Sequence, residues 1–252
     1  TVTLNRAEKR NAIDVPMFDA LIAAGDALKS DRSVRAVVLH GAGEHFCAGI
    51  DISVFQGEGI GAAGAGLMQP RDGSAANYFQ SAACVWREVP VPVIAALCGT
   101  VFGGGLQIAL GADLRLAAAD TRLSIMEVKW GIIPDMGITN TLRGIVREDR
   151  ARELAYTGRV VKAEEAAELG LVSGIVDDPL AAATSLAAEI AQKSPDAIRA
   201  TKRLFNEGWH ADPVKALRLE ADLQTAVMAG SNQKEAALAN IEGRAPNFRD
   251  PD

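Results

Sequence analysis

Residues 89–113 read VPVPVIAALCGTVFGGGLQIALGAD. The first half is an apolar run rich in valine, the pattern of a strand buried on both faces. The second half sets three glycines, Gly103, Gly104 and Gly105, directly before a stretch of helical character. Glycine loses more backbone freedom on folding than any other residue. Three together imply a positive φ or a close approach that a side chain would block. Ahead of a helix they also leave N–H groups whose dipoles favour negative charge. The stretch therefore predicts a strand, a tight turn and a helix, with backbone donors at the join. Tight packing of strand on helix is the other reading of the same glycines. The spacing is not the G-x-G-x-x-G of a dinucleotide site, and no G-x-x-x-x-G-K-[ST] phosphate loop occurs.

Working outward, residues 34–41 (VRAVVLHG) read as a second short buried strand. The connection after it, 42–51 (AGEHFCAGID), carries a second candidate turn, Phe46-Cys47-Ala48-Gly49-Ile50-Asp51. Two sets of N–H groups aimed at one oxygen would make an oxyanion hole, worth ~3–4 kcal/mol per donor where this has been tested. At the N-terminus, TVTL alternates as a strand does. Residues 14–29 place Val15, Phe18, Leu21, Ile22, Ala24 and Leu28 at helical spacing. Downstream, LRLAAAD and TRLSIME read as two further strands, the second ending at Glu127. Pro134 and Asp135 sit where the next helix should begin, and Asp is a favoured helix cap. From residue 151 the chain is expected to be mostly helical, with amphipathic stretches at 163–170, 179–193 and 212–242. The expectation is an α/β core over residues 1–190 and a helical region over 191–252. Residues 56–77, rich in glycine and alanine, read either as a surface loop or as a flap over a binding site.

Bulk properties narrow the function classes. The chain has 252 residues, 48% of them hydrophobic, which is enough for a substantial core. A net charge of -6 and no basic stripe argue against nucleic acid as a partner. No apolar run approaches the ~18 residues that cross a bilayer, so no membrane partner is expected. No signal peptide is read at the start, and Cys47, Cys84 and Cys98 suggest neither a disulfide framework nor metal-ligand spacing. A reducing, cytoplasmic setting is expected. His40, His45 and His210 likewise lack metal spacing, and Ser124 and Ser173 lack a G-x-S-x-G context. Trp86, Trp130 and Trp209 read as packing residues.

Four segments taken in order are more specific than any one motif. LNRAEKRNAID (4–14), VRAVVLHGAGEHFCAGID (34–51), residues 91–134 ending in EVKWGIIP, and LAYTGRVVKAEEAAELGLVSGIV (154–176) resemble the crotonase, or enoyl-CoA hydratase/isomerase, family. The resemblance implies a spiral of ββα units followed by helices that build a homotrimer or a dimer of trimers. It implies an acyl-CoA substrate and no cofactor beyond the coenzyme A of that substrate. It assigns the oxyanion hole to the N–H groups of Ala48 and Gly104. It lays coenzyme A along Ala48, Gly49, Ile50 and Asp51, with Arg6, Lys9 and Arg10 as candidates for the nucleotide phosphates.

A thioester enolate also needs an acid or base beside the reacting carbons, and a partly buried carboxylate supplies one. Hydration in this family resembles a reaction of two carboxylates. This chain has Gln107 at the first position, and an amide can orient substrate or a water but cannot accept its proton. The second position is Glu127. Asp135, eight residues later, resembles the arrangement of dienoyl-CoA isomerases, although those carry Asp where this chain has Gln107. Double-bond isomerisation with Glu127, and with Asp135 as a second acid/base, is thus the favoured expectation. A hydratase using Glu127 alone and an acyl-CoA-binding protein with little turnover are the alternatives.

Overall fold

The computed structural model describes residues 1–56 and 64–251. Of the glycine- and alanine-rich stretch 56–77, residues 57–63 lie outside the described residues. The main sheet has five parallel strands in the order β1-β2-β3-β5-β8. They are β1 (Val2–Leu4), β2 (Val37–Gly41), β3 (Val93–Leu97), β5 (Leu114–Ala117) and β8 (Gly174–Ile175). The central β3 is buried at every position, as a parallel strand covered on both faces should be. A smaller sheet, β4 (Thr100–Phe102), β6 (Arg122–Ser124) and β7 (Val161–Lys162), packs alongside it. Here β4 and β6 run parallel and β7 is antiparallel.

Three helices sit on the large-core side. They are α1 (Val15–Ser30), α2 (Tyr78–Glu88) and α3 (Gly104–Gly111). Asp14 caps α1 by accepting the Met17 N–H, and Asn77 opens α2 with a reciprocal capping box to Gln80. Phe18, Phe79, Trp86, Leu106 and Leu123 meet in the core between these helices and the sheets. α4 (Glu148–Thr157) and α5 (Ala163–Glu168) follow, and α6 (Pro179–Ala191) covers the opposite sheet face. There Ala183, Leu186 and Ile190 pack on Val38, Ile94 and Ala96. The architecture is α/β with a mostly parallel sheet and a helical C-terminal region, as expected.

Some boundaries differ from the sequence reading. The 212–242 stretch is two helices, α8 (Pro213–Ala229) and α9 (Ser231–Glu242), because the chain turns out of helix at Gly230. α7 (Pro195–Gly208) precedes them and is pinned by Lys202, whose buried Nζ donates to the carbonyls of Trp86 and Val91 and pairs with Asp113. The strand before Glu127 stops at Ser124, and Glu127 begins a one-turn 3-10 helix closed at Gly131. Asp135 is not a helix cap. The next helical turn, Ile138–Thr141, starts three residues later behind Gly137, and no side chain caps it. Among the described residues no helix is long and apolar enough to cross a membrane.

Candidate active site

The two glycine turns meet because of one parallel contact. Cys47 pairs with Val101: the Cys47 N–H donates to Thr100 O and the Phe102 N–H donates to Cys47 O, both at 3.0 Å. The two segments run in the same direction, so three residues further on Ile50 and Gly104 emerge side by side. Gly103 makes the turn at φ 52° and donates its N–H to Ser124 O. Gly105 lets the start of α3 press on Cys47, since a Cβ there would lie 2.6 Å from the Cys47 carbonyl oxygen. The three glycines thus serve a left-handed turn and a close approach, and both strand–helix packing and free donors result.

The hydrogen-bond pattern corrects one donor. The Ala48 N–H is spent, because it donates to Arg10 O at 2.9 Å. Ile50 instead bridges Ile13 through its neighbours, with Ile13 N–H donating to Gly49 O and Asp51 N–H donating to Ile13 O. Its own N–H faces away from that bridge and has no acceptor among the described residues. Gly104 is the first residue of α3, so its N–H has no acceptor within the helix. Among the described residues, Ile50 and Gly104 are therefore unspent donors at this corner. The motif was legible as FCAGID. The donor within it was not, because the choice depends on which N–H groups the 10–13 segment consumes.

These donors open on a cavity of about 530 Å³. Its described lining brings together Lys9, Gly49, Ile50, Asp51, Gly104, Gln107, Glu127 and Asp135, with Met126, Trp130, Ile132 and Met136 as apolar wall. Arg6 and Arg10 are not among these residues. The Arg6 guanidinium is engaged elsewhere: it pairs with Asp14 at 3.3 Å and Asp51 at 2.6 Å, and donates to Ala12 O. It braces the turn that carries Asp51, so it is not free for a phosphate. Arg10 is exposed in a left-handed conformation at φ 51°. Lys9 remains the basic group at the cavity.

Glu127 is buried. One oxygen accepts from Gln107 Nε2 at 2.6 Å, and the other has no hydrogen-bond partner among the described residues. Burial pushes its carboxyl upward, against its own backbone N–H and the Gln107 amide, and the nearby Asp135 charge adds to the rise. Asp135 is also raised by burial. Asp51 is driven the other way, to about 2, by the Ser53 N–H, the Arg6 guanidinium and the Ser53 hydroxyl. Gln107 is fully committed at its acceptor end, where Oε1 receives the Met136 N–H at 2.9 Å. A second, mostly apolar cavity of about 710 Å³ adjoins the first through Ile50, Ile132 and Asp135, and continues past Phe79, Ile133 and Ile138. Among the described residues no group of three His, Cys, Asp or Glu side chains could hold a metal ion.

Sequence reading missed Asn11, which is buried at φ 54°. It accepts the Arg6 N–H and donates to Ala42 O and His45 O, which locks the 6–13 turn against the loop that leads to Cys47. The signal was an Asn in a polar turn, a residue that tolerates left-handed backbone. Trp130, read as packing, lines the cavity while 47% exposed.

Comparison with known proteins places the chain in a family. The enoyl-CoA hydratase/isomerase family model matches residues 1–251. A mevalonyl-coenzyme A hydratase of Beauveria bassiana is 37% identical over 260 residues, covering 99% of this chain and 90% of the relative. The mitochondrial methylglutaconyl-CoA hydratase of Mus musculus is 31% identical, covering 98% and 78%. The crystal structure of an enoyl-CoA hydratase from Bacillus anthracis superposes with a TM-score of 0.90 at 30% identity, covering 99% of this chain and 94% of that one. The chain belongs to the enoyl-CoA hydratase/isomerase family, the crotonase superfamily, whose enzymes act on acyl-CoA thioesters.

Proposed function

We propose that this protein shifts the double bond of an unsaturated acyl-CoA, with Glu127 as the acid/base. The observation that carries this reading is the buried, upward-shifted Glu127 carboxyl in the same cavity as two unspent backbone donors. The thioester oxygen accepts from the N–H groups of Ile50 and Gly104. As Glu127 takes a proton from C2 of a 3-enoyl ester, the C2–H electron pair moves into the enolate and the negative charge passes to that oxygen. Return of the same proton to C4 moves the double bond to C2–C3 and regenerates the carboxylate. Donors fixed in place before the charge develops stabilise it without reorganisation. A carboxyl with a raised pKa both accepts and returns a proton near neutral pH.

Asp135 is the second acid/base, placed where the first cavity opens into the second. A 3,5-dienoyl chain reaching toward the second cavity presents its distal carbons there. Lys9 meets the coenzyme A phosphates, and Ala48, Gly49, Ile50 and Asp51 line the path of the coenzyme. No cofactor is needed beyond the coenzyme A of the substrate, and the setting is cytoplasmic. Exposed Phe205, Trp209, Val214, Leu217 and Ile241 on the C-terminal helices support a homotrimer or dimer of trimers, which sedimentation equilibrium tests.

Hydration of a 2-enoyl-CoA is the second reading, favoured by the hydratase names of the relatives. Supplying 2-enoyl-, 3-enoyl- and 3,5-dienoyl-CoA separates the two. Conversion of the 3-enoyl ester to the 2-enoyl ester is the expected result. Consumption of the 2-enoyl ester alone, giving a 3-hydroxyacyl product, overturns isomerisation. Tight binding of all three without turnover points to a binding protein.

A further inference from the structure

Gln107 is 1% exposed, and both ends of its amide are used. Oε1 accepts the Met136 N–H at 2.9 Å, and Nε2 donates to Glu127 Oε1 at 2.6 Å. A backbone N–H can only donate, so the amide cannot flip without setting N–H against N–H. Its NH₂ end must therefore face Glu127. The two carboxyl oxygens of Glu127 then stand in different surroundings: Oε1 is held, while Oε2 is buried and has no hydrogen-bond partner among the described residues.

Resting on the reading that Glu127 moves protons on a bound acyl-CoA, we propose that Gln107 is a positioning residue that divides the labour of the Glu127 carboxyl: Oε1 is dedicated to the amide and Oε2 gives and takes the proton. The amide donates to the charged form and so opposes the effect of burial, keeping Glu127 able to ionise. The same side chain ties α3 to the Asp135–Met136 segment, so the placement of Asp135 relative to Glu127 also depends on it. An apolar residue of equal size would fill the space. It would leave the Met136 N–H and Glu127 Oε1 without partners.

The test is a carbon-13 NMR titration of the Glu127 carboxyl in the full chain, its signal identified by loss in Glu127→Gln. In Gln107→Met the midpoint is expected to rise by about one pH unit or more, the scale of a lost hydrogen bond to a charged group. On the CoA ester that the wild type converts, kcat should fall about tenfold or more with KM within about threefold. An unmoved midpoint in folded Gln107→Met overturns the proposal, as does a rise in KM with kcat unchanged. Gln107→Glu keeps an acceptor for Met136 and guards against a folding failure of the first variant. There the Glu127 signal should follow two steps, as coupled carboxyls do. A single step at the wild-type midpoint contradicts the proposal. If the midpoint rises but the wild type converts none of the three esters, the reading that Glu127 moves protons on these esters falls, while the hold of Gln107 on the Glu127 carboxyl stands.

Discussion

Asp51 and Glu127 line one cavity and carry the same functional group, yet the protein drives them in opposite directions. Asp51, on the turn after Cys47, receives two hydrogen bonds from Ser53 and one from Arg6, and its carboxyl is held at about 2. Glu127 is buried, with one side-chain donor, Gln107, and a second oxygen that has no hydrogen-bond partner among the described residues, and burial pushes its carboxyl upward. Burial on one side and hydrogen-bond donors on the other explain the contrast. A carboxylate saturated with donors is a fixed charge and suits a structural brace. One that is buried and half-satisfied exchanges a proton at modest cost and suits chemistry.

The largest effect should come from Glu127. Glu127→Gln keeps an acceptor for Gln107 but cannot take a proton, so kcat is expected to fall by about 10³-fold or more. The same change should raise the thermal midpoint at pH 8. The sign follows from the raised carboxyl: the folded state holds its proton to higher pH than the unfolded chain, so stability falls as pH rises through that window. Removing the charge removes the loss. Equal thermal midpoints for the two proteins at pH 8, measured by calorimetry, would contradict burial as the cause.

Asp135→Asn comes next. Turnover of a 3,5-dienoyl ester should drop by about tenfold or more, since a positioned acid/base contributes on the order of 10²-fold or above. The 3-enoyl ester should still be converted, and parallel loss on both would remove the separate role of Asp135. On the brace side, Asp51→Asn should cost about 1–2 kcal/mol at neutral pH after allowance for partial screening. The Asp51 contribution is present above the ordinary carboxylate value of 3.8 and is lost as pH falls through about 2. Urea denaturation at pH 7 and pH 2 should therefore show a clearly smaller difference between wild type and variant at pH 2 than at pH 7. Smallest is Lys9→Ala, for which a rise in KM of about threefold, shrinking at high salt, is expected from an exposed charge near the phosphates.

The same contrast shows what the sequence could carry. The parallel strands at 37–41 and 93–97, the glycine turn at 103–105 and the placement of Glu127 and Asp135 near one another follow from local pattern and motif order. Two assignments depended on partners distant in sequence. Arg6 sits in a basic turn, yet Asp14 and Asp51 claim its guanidinium. Ala48 lies in the right motif, yet Arg10 O takes its N–H and leaves Ile50 as the free donor. Asp135 read equally well as a helix cap until the helical turn proved to start at Ile138. Asn11 gave no signal beyond a polar turn, because its role is to satisfy carbonyls at 42 and 45. Periodicity and motif order are local properties. Hydrogen-bond ownership is decided by tertiary contact.

The most direct test of the central claim is the pH dependence of kcat/KM for the ester that the enzyme converts. The account predicts an ascending limb above 4.5, the ordinary value of a glutamate, reporting ionisation of Glu127 in the free enzyme. A limb at or below 4.5, or one that persists unchanged in the residual activity of Glu127→Gln, would contradict it.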